Sequence, residues 1–364
     1  MNAEENNSRN TCSALYPRLS AFICGLVVFL FLIAMPTYAE ASSPASKSKP
    51  APVPKIPIAP LHEAITTFVP FDNAPFPFRG RIPDSGKHFL DHSDGGRQGH
   101  VSPRDGSVHW EDETFKDNSV LLYLPKGFDV RRPALIVVFF HGNGATLSRD
   151  VLDRQQVAAQ LAASGINAVL VAPQFAIDAA DSSAGRFWQR GHFAKFVSEA
   201  ATKLAAQYGD KRAADAFRQS KVVLVAYSGG YLPAAWSLDV GKIGTRLQGV
   251  VLFDAMYGQI DKFVSWLERA RNGAFFFSAY GESTHDENEA LKEELDEANL
   301  RYKTVLPKKL IPGGITFVDA SSGTKHEDFV TQAWTQNPLT WVLSRIPGYP
   351  RTAAKPAAHH PPPR

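Results

Sequence analysis

Lys221-Val-Val-Leu-Val-Ala-Tyr-Ser-Gly-Gly-Tyr231 is the stretch whose reading decides the fold. Val222 to Ala226 is a short β-branched and apolar run, which predicts a strand buried on both faces. Gly229 to Val240 predicts a helix, with Pro233 in the opening turn, where a missing N–H costs little. Ser228 then falls on the turn between them. A serine at so sharp a turn has a strained backbone and an exposed hydroxyl. It needs small neighbours, because strand and helix approach closely there. Ala226 and Gly230 stand two residues to either side, and both are small.

Outward from this stretch, strands and helices alternate from Ser119 onward. The apolar runs predict strands over Val120 to Leu124, Ala134 to Phe140, Ala168 to Ala172, Gln248 to Phe253, Ala274 to Ala279 and Ile315 to Asp319. Helices are predicted over Asp150 to Ala163, Gly191 to Tyr208, Ile260 to Ala270, Asn288 to Leu300 and Glu327 to Leu343. Ser148 reads as the cap of the first of these and Gly165 as its stop. Such alternation implies an α/β fold, a mostly parallel central sheet with helices on both faces. Catalytic residues are then expected at the carboxyl ends of the strands. Residues 61–118 read differently. Phe68, Phe71, Phe76, Phe78 and Phe89 alternate with Pro and Gly, which predicts a segment wrapping the core without long regular elements.

Three further features fall where a nucleophilic serine needs them. His141-Gly142-Asn143-Gly144 ends the strand that begins at Ala134, and its glycines let backbone N–H groups turn toward a developing oxyanion. His326, in Gly323-Thr-Lys-His-Glu-Asp-Phe329, follows the final strand. A neutral imidazole there can take the Ser228 proton and return it to the leaving group. Asp254 closes the apolar strand in Val250-Val-Leu-Phe-Asp-Ala-Met-Tyr-Gly258, beside the strand of Ser228. A carboxylate emerging from a buried strand needs a reason to be charged there, and fixing the imidazole tautomer is one. Glu282 and Asp286, in the polar loop Ala279-Tyr-Gly-Glu-Ser-Thr-His-Asp286, are the alternative acids. Asp254 is favoured over both.

Ala226-Tyr-Ser-Gly-Gly230 resembles the nucleophile elbow G-x-S-x-G of the α/β-hydrolases, with Ala in place of the first Gly. The order Ser228, Asp254, His326 resembles the order of that family's triad. From about Ser119 to Tyr349 the chain resembles the α/β-hydrolase fold. In detail it looks like a group of uncharacterised exported bacterial hydrolases, through the phrases Phe139-Phe-His-Gly-Asn-Gly-Ala145, Ala226-Tyr-Ser-Gly-Gly-Tyr231 and Phe253-Asp-Ala-Met-Tyr-Gly258. The resemblance implies carboxylic-ester chemistry through an acyl-enzyme. It implies oxyanion donors at Gly229 and at Asn143 or Gly144. Trp188, Phe187, Tyr231 and Tyr257 are aromatics near strand ends, candidates for a substrate pocket or for core packing. An acyltransferase on the same site and a non-catalytic binding protein with the same fold stay open as alternatives.

Composition bounds the remaining possibilities. The chain of 364 residues carries a formal net charge of +3, too small to argue for a nucleic-acid partner. No phosphate-cradling loop and no metal-spaced His/Cys set appears, so no cofactor and no metal is expected. His88, His92, His100 and His109 lie among Pro and Gly and read as surface or structural. The only cysteines are Cys12 and Cys24, which leaves no disulfide framework beyond them. Ala21 to Met35 is an apolar run preceded by Arg18 and followed by Thr37-Tyr-Ala39, which reads as a signal peptide over residues 1–39. That predicts a periplasmic or secreted protein, the alternative being an inner-membrane anchor through residues 21–35. The expected partner is a small-molecule or envelope ester, with the membrane touched only through that segment if it is left uncleaved. Residues 40–60, rich in Pro, Ser and Lys, read as a linker. The catalytic domain is placed at 119–349, and residues 350–364, with His359 and His360, read as a tail without a core.

Overall fold

The computed structural model describes residues 59–352. The predicted signal segment, residues 40–58 of the linker and the end of the tail lie outside the described residues.

β1 (Ile65–Pro70) opens the described chain, followed by β2 (His92–Asp94), β3 (Arg97–Val101), β4 (Val108–Trp110) and the short α1 (Glu111–Thr114). Then come β5 (Ser119–Leu124), β6 (Leu135–Phe140), α2 (Val157–Ser164), β7 (Ala168–Pro173), α3 (His192–Gln207) and α4 (Ala214–Gln219). β8 (Lys221–Tyr227) leads into α5 (Tyr231–Asp239). β9 (Leu247–Phe253), α6 (Ile260–Ala270), β10 (Phe275–Tyr280), α7 (His285–Glu297), β11 (Ile315–Asp319) and α8 (Pro338–Leu343) complete the chain.

Eight strands form one sheet in the order β1-β5-β7-β6-β8-β9-β10-β11. β5 runs antiparallel to both of its neighbours, and the pairs from β7 to β11 are parallel. This is the strand arrangement of the α/β-hydrolase fold. β8 lies at its centre because its neighbours β6 and β9 are as apolar as it is. All six residues of β6 are buried.

Alternation along that strand builds two cores. Ile136, Val138 and Phe140 face a cluster that includes Phe193, Phe217, Ala234, Phe263 and Leu291 from α3 to α7. Leu135, Val137 and Phe139 face a second cluster with Val157 and Leu161 of α2 and Leu339 and Val342 of α8. Successive side chains point to opposite faces of a strand, so a run without polar residues demands cover on both sides.

Residues 61–118 hold only short elements: β1 pairs with β5 along its length, and β2, β3 and β4 form a small antiparallel sheet. The alternation in β1, with Ile65, Thr67 and Val69 half-buried and the residues between them exposed, is an edge-strand pattern. Two helix expectations need correction. The helix expected over Asp150 to Ala163 is two pieces. A π-helical turn runs over Leu147–Arg154, capped by the Thr146 side chain rather than Ser148, and α2 begins only after Gln156, whose φ is 52°. Asp150 holds that first piece, accepting from the Thr146 amide and pairing with Arg149 and Arg154. The last helix is also shorter than expected. Only Pro338–Leu343 is α-helical, after the left-handed Asn337.

Candidate active site

Ser228 stands at the carboxyl end of β8 with φ at +52°, in the left-handed region that costs a non-glycine residue free energy. Close packing holds the turn. A Cβ on Gly230 would lie 2.6 Å from the backbone oxygen of Phe140, so only glycine fits there. A Cβ on Gly142 would lie 2.7 Å from Cβ of Ser228, which sets the loop after β6 directly against the serine. The expected smallness at Ala226 and Gly230 thus has a physical cause. The end of β8 must let α5 and the loop after β6 approach.

His326 follows β11 and closes on Ser228 across 98 residues of sequence. The Ser228 hydroxyl donates to His326 Nε2 at 2.7 Å. On the other side of the ring, His326 Nδ1 donates to Asp254 Oδ2 at 2.5 Å. The three residues are therefore joined in one hydrogen-bonded chain. Two tyrosines frame the ring. Tyr227 stacks on it, with centroids 5.2 Å apart and an interplanar angle of 21°, and its hydroxyl donates to the His326 carbonyl at 3.0 Å. Tyr257 stands edge-on at 6.1 Å. Burial pushes the Tyr257 hydroxyl up to about 12, so it remains protonated at neutral pH.

Asp254 is 1% exposed, and its φ is +44°. Besides His326 it has three donors. The Gly281 amide and the Thr284 hydroxyl reach Oδ1 at 2.8 and 2.5 Å, and the Ser283 hydroxyl reaches Oδ2 at 2.6 Å. Burial alone would raise its pKa. The hydrogen bonds from His326, Ser283, Thr284 and Gly281 outweigh burial and hold the carboxyl below the usual range. The loop after β10, which holds the rival acids Glu282 and Asp286, supplies donors instead. Glu282 is exposed, and Asp286 is exposed beside His285. Neither meets His326. Ser283 and Thr284 were missed because a search for acids passes over hydroxyls. The signal was that a fully buried Asp254 requires several donors.

The loop His141 to Gly144 resolves into distinct roles. His141 Nε2 accepts from the Phe175 amide at 2.9 Å and from the Gln174 side chain at 3.0 Å. Its proton therefore sits on Nδ1, which donates to the Gly142 carbonyl at 2.8 Å. Burial drives the His141 pKa down to about 4, so the ring is a neutral brace for the loop. Asn143 lies against the elbow. Its Oδ1 accepts from Ser182 Oγ at 3.0 Å and sits 2.0 Å from where a Gly229 side chain would begin. Gly229 is in the first turn of the 3-10 segment Ser228–Gly230, where amides have no intrahelical acceptor. Gly144, the alternative donor, is corrected: its N–H is spent on the Ala179 carbonyl at 2.8 Å.

The pocket candidates divide. Tyr231 and Tyr257 are half-buried at the site and pack 5.7 Å apart. Trp188 is a core residue rather than a pocket wall, wedged between Phe78 and Phe89 at 5.5 and 5.8 Å. Phe187 is fully buried beside Phe140. Of the histidines read as structural, His100 is buried, stacks on Phe89 and bonds its carbonyl at 2.7 Å. Among the described residues no group of His, Cys, Asp and Glu is arranged to hold a metal ion. A cavity of about 640 Å³, lined by Leu238, Ile243, Leu247, Trp266 and Ala274, opens at the amino ends of β9 and β10, away from Ser228.

No family model matches the sequence, and no curated protein matches it. Several solved structures are similar in shape. The feruloyl esterase module of Clostridium thermocellum is 14% identical over 78% of this chain and 100% of its own, with a TM-score of 0.42. An S-formylglutathione hydrolase from Agrobacterium tumefaciens is 13% identical over 70% of this chain and 97% of its own, at 0.41. An IroE-like serine hydrolase from Shewanella oneidensis is 12% identical over 66% of this chain and 76% of its own, at 0.38.

Proposed function

We propose that this chain is a serine hydrolase that cleaves a carboxylic ester through an acyl-enzyme. The observation that carries the reading is the hydrogen-bonded chain from Ser228 Oγ through His326 to Asp254, at 2.7 and 2.5 Å. In the proposed reaction Ser228 Oγ attacks the ester carbonyl as its proton passes to His326 Nε2. The imidazolium so formed is held by Asp254, whose four donors keep it ionised and in one orientation. Amides of Gly229 and Asn143 receive the oxyanion, favoured by the amino end of the helical segment behind Ser228. His326 then protonates the departing alcohol. Water, deprotonated by the same ring, releases the acid and restores Ser228.

The proposed substrate is a small-molecule or envelope ester. Export to the periplasm or beyond is part of the same reading and rests on the apolar run Ala21 to Met35 with Thr37-Tyr-Ala39. The test is turnover of p-nitrophenyl esters of graded acyl length by the intact protein and by Ser228→Ala. The reading expects turnover that disappears in the variant while the melting temperature is kept. Equal turnover by the two proteins would overturn it.

A further inference from the structure

The outer edge of the sheet, beside β11, carries an unusual surface. Between α7 and β11 the chain runs Arg301-Tyr-Lys-Thr-Val-Leu-Pro-Lys-Lys-Leu-Ile311. Val305, Leu306 and Ile311 are 68%, 46% and 53% exposed, three of the four large apolar side chains so exposed among the described residues. Interleaved with them, Arg301, Lys303, Lys308 and Lys309 are also exposed. None of these four cations is in an ion pair among the described residues. Asp296 accepts from Tyr302 and Asp129 is paired with Arg131, while Glu293, Glu294 and Glu297 at the end of α7 stand exposed beside the loop. The loop is anchored at its base, where Leu310 N donates to Arg345 O and Gly313 N donates to Ala274 O. Its apolar tips are thus presented rather than loose.

The surface extends beyond the loop. A cleft of about 660 Å³ joins Pro312 to Arg131, Arg132, Lys221 and Tyr349. The described chain begins beside the loop that leads into β6. The Ala59 carbonyl accepts from the Tyr208 hydroxyl, and Leu61 N donates to Phe128 O at 2.9 Å, in the loop before β6.

We infer that the Arg301–Ile311 loop is a membrane-docking surface that lays Val305, Leu306 and Ile311 into the interface of an anionic bilayer. Exposed apolar side chains flanked by unpaired lysines suit that boundary: the apolar groups leave water while the ammonium groups meet lipid phosphates. An acidic protein would match the charges but leave three apolar tips unexplained.

The test is hydrogen exchange by mass spectrometry on the full chain, with vesicles of phosphatidylcholine alone and with phosphatidylglycerol mixed in. Residues 301–314 are expected to gain protection only on the mixed vesicles, while residues 323–329 exchange unchanged. The triple variant Lys303→Gln, Lys308→Gln, Lys309→Gln loses that protection. At roughly fivefold per lysine, docking of the loop weakens about 100-fold. The variant Val305→Asp, Leu306→Asp, Ile311→Asp loses it as well, with ester turnover unchanged in both. Equal exchange of 301–314 with and without anionic vesicles overturns the inference. So does equal protection by soluble polyglutamate, which would mark a site for an acidic chain.

Discussion

Replacing Asp254 by Asn tests the interaction that fixes the tautomer of His326. The carboxylate accepts from two donors at each oxygen: Gly281 N and Thr284 Oγ1 at Oδ1, Ser283 Oγ and His326 Nδ1 at Oδ2. Serine and threonine hydroxyls can rotate to become acceptors, but the Gly281 N–H cannot. The new amide nitrogen therefore avoids Gly281 and takes the Oδ2 position, facing His326 Nδ1. The ring answers by moving its proton to Nε2. It then donates toward Ser228 and can no longer accept the Ser228 proton. A fall of about 10⁴ in kcat is expected, the size the same change has in the serine-protease case, or about 5 kcal/mol of transition-state stabilisation. Backbone strain does not confound the comparison, because Asn tolerates the +44° φ of Asp254 as well as Asp does. Loss of the charge-assisted bonds lowers unfolding stability by about 2 kcal/mol. The assay is steady-state hydrolysis of a p-nitrophenyl ester, paired with a thermal melt. A folded Asp254→Asn protein with kcat within tenfold of the parent would refute the tautomer argument and the assignment of Asp254.

Glu282→Gln and Asp286→Asn should each leave kcat within about twofold, since both side chains are exposed and exposed polar changes perturb little; a dead variant in ester turnover would move the acid to that residue. Gly230→Ala should cost about 3 kcal/mol in a denaturant titration, because the new Cβ would stand 2.6 Å from a backbone oxygen that cannot swing aside; an unchanged midpoint would mean the elbow has slack. His141 gives a pH signature. Unfolded, the ring takes its proton near 6.5, and folded only at about 4, so between these values the unfolded chain binds the extra proton and stability falls as pH falls. The loss amounts to about 3 kcal/mol across that window. Denaturant midpoints of the parent and of His141→Gln, compared from pH 7 to 4, should diverge by this slope, and parallel curves would contradict a buried neutral His141.

Legibility in the sequence followed burial. The strands β6 and β8 are buried on both faces, so their apolar runs stood out without any periodicity analysis. β1 escaped because an edge strand with one half-buried face, flanked by Pro and Gly, resembles a loop in composition. The break at Gln156 escaped because Asp150 to Ala163 has helical composition throughout, and nothing local announces a residue at φ 52°. At the site, Ser228, Asp254 and His326 were legible from their places at strand ends. Their supporting groups were not. Tyr227 meets His326 only after β8 and the His326 loop come together, and Ser283 and Thr284 meet Asp254 only through the pairing of β9 with β10. The Gly144 amide could not be separated from that of Asn143 until the 175–185 loop was seen to occupy it through Ala179. Trp188 was ambiguous for a related reason, since its neighbours Phe78 and Phe89 come from about 100 residues earlier, in a segment whose course the sequence does not reveal.

The central claim is that Ser228 is the nucleophile. A fluorophosphonate reacts only with an activated serine, and it leaves a covalent mass on that residue. Peptide mapping of the labelled protein by mass spectrometry should find the adduct on the peptide containing Tyr227-Ser-Gly-Gly-Tyr231, and Ser228→Ala should take no label while melting within a few degrees of the parent. An adduct on any other residue, or persistent labelling of Ser228→Ala, would contradict the account.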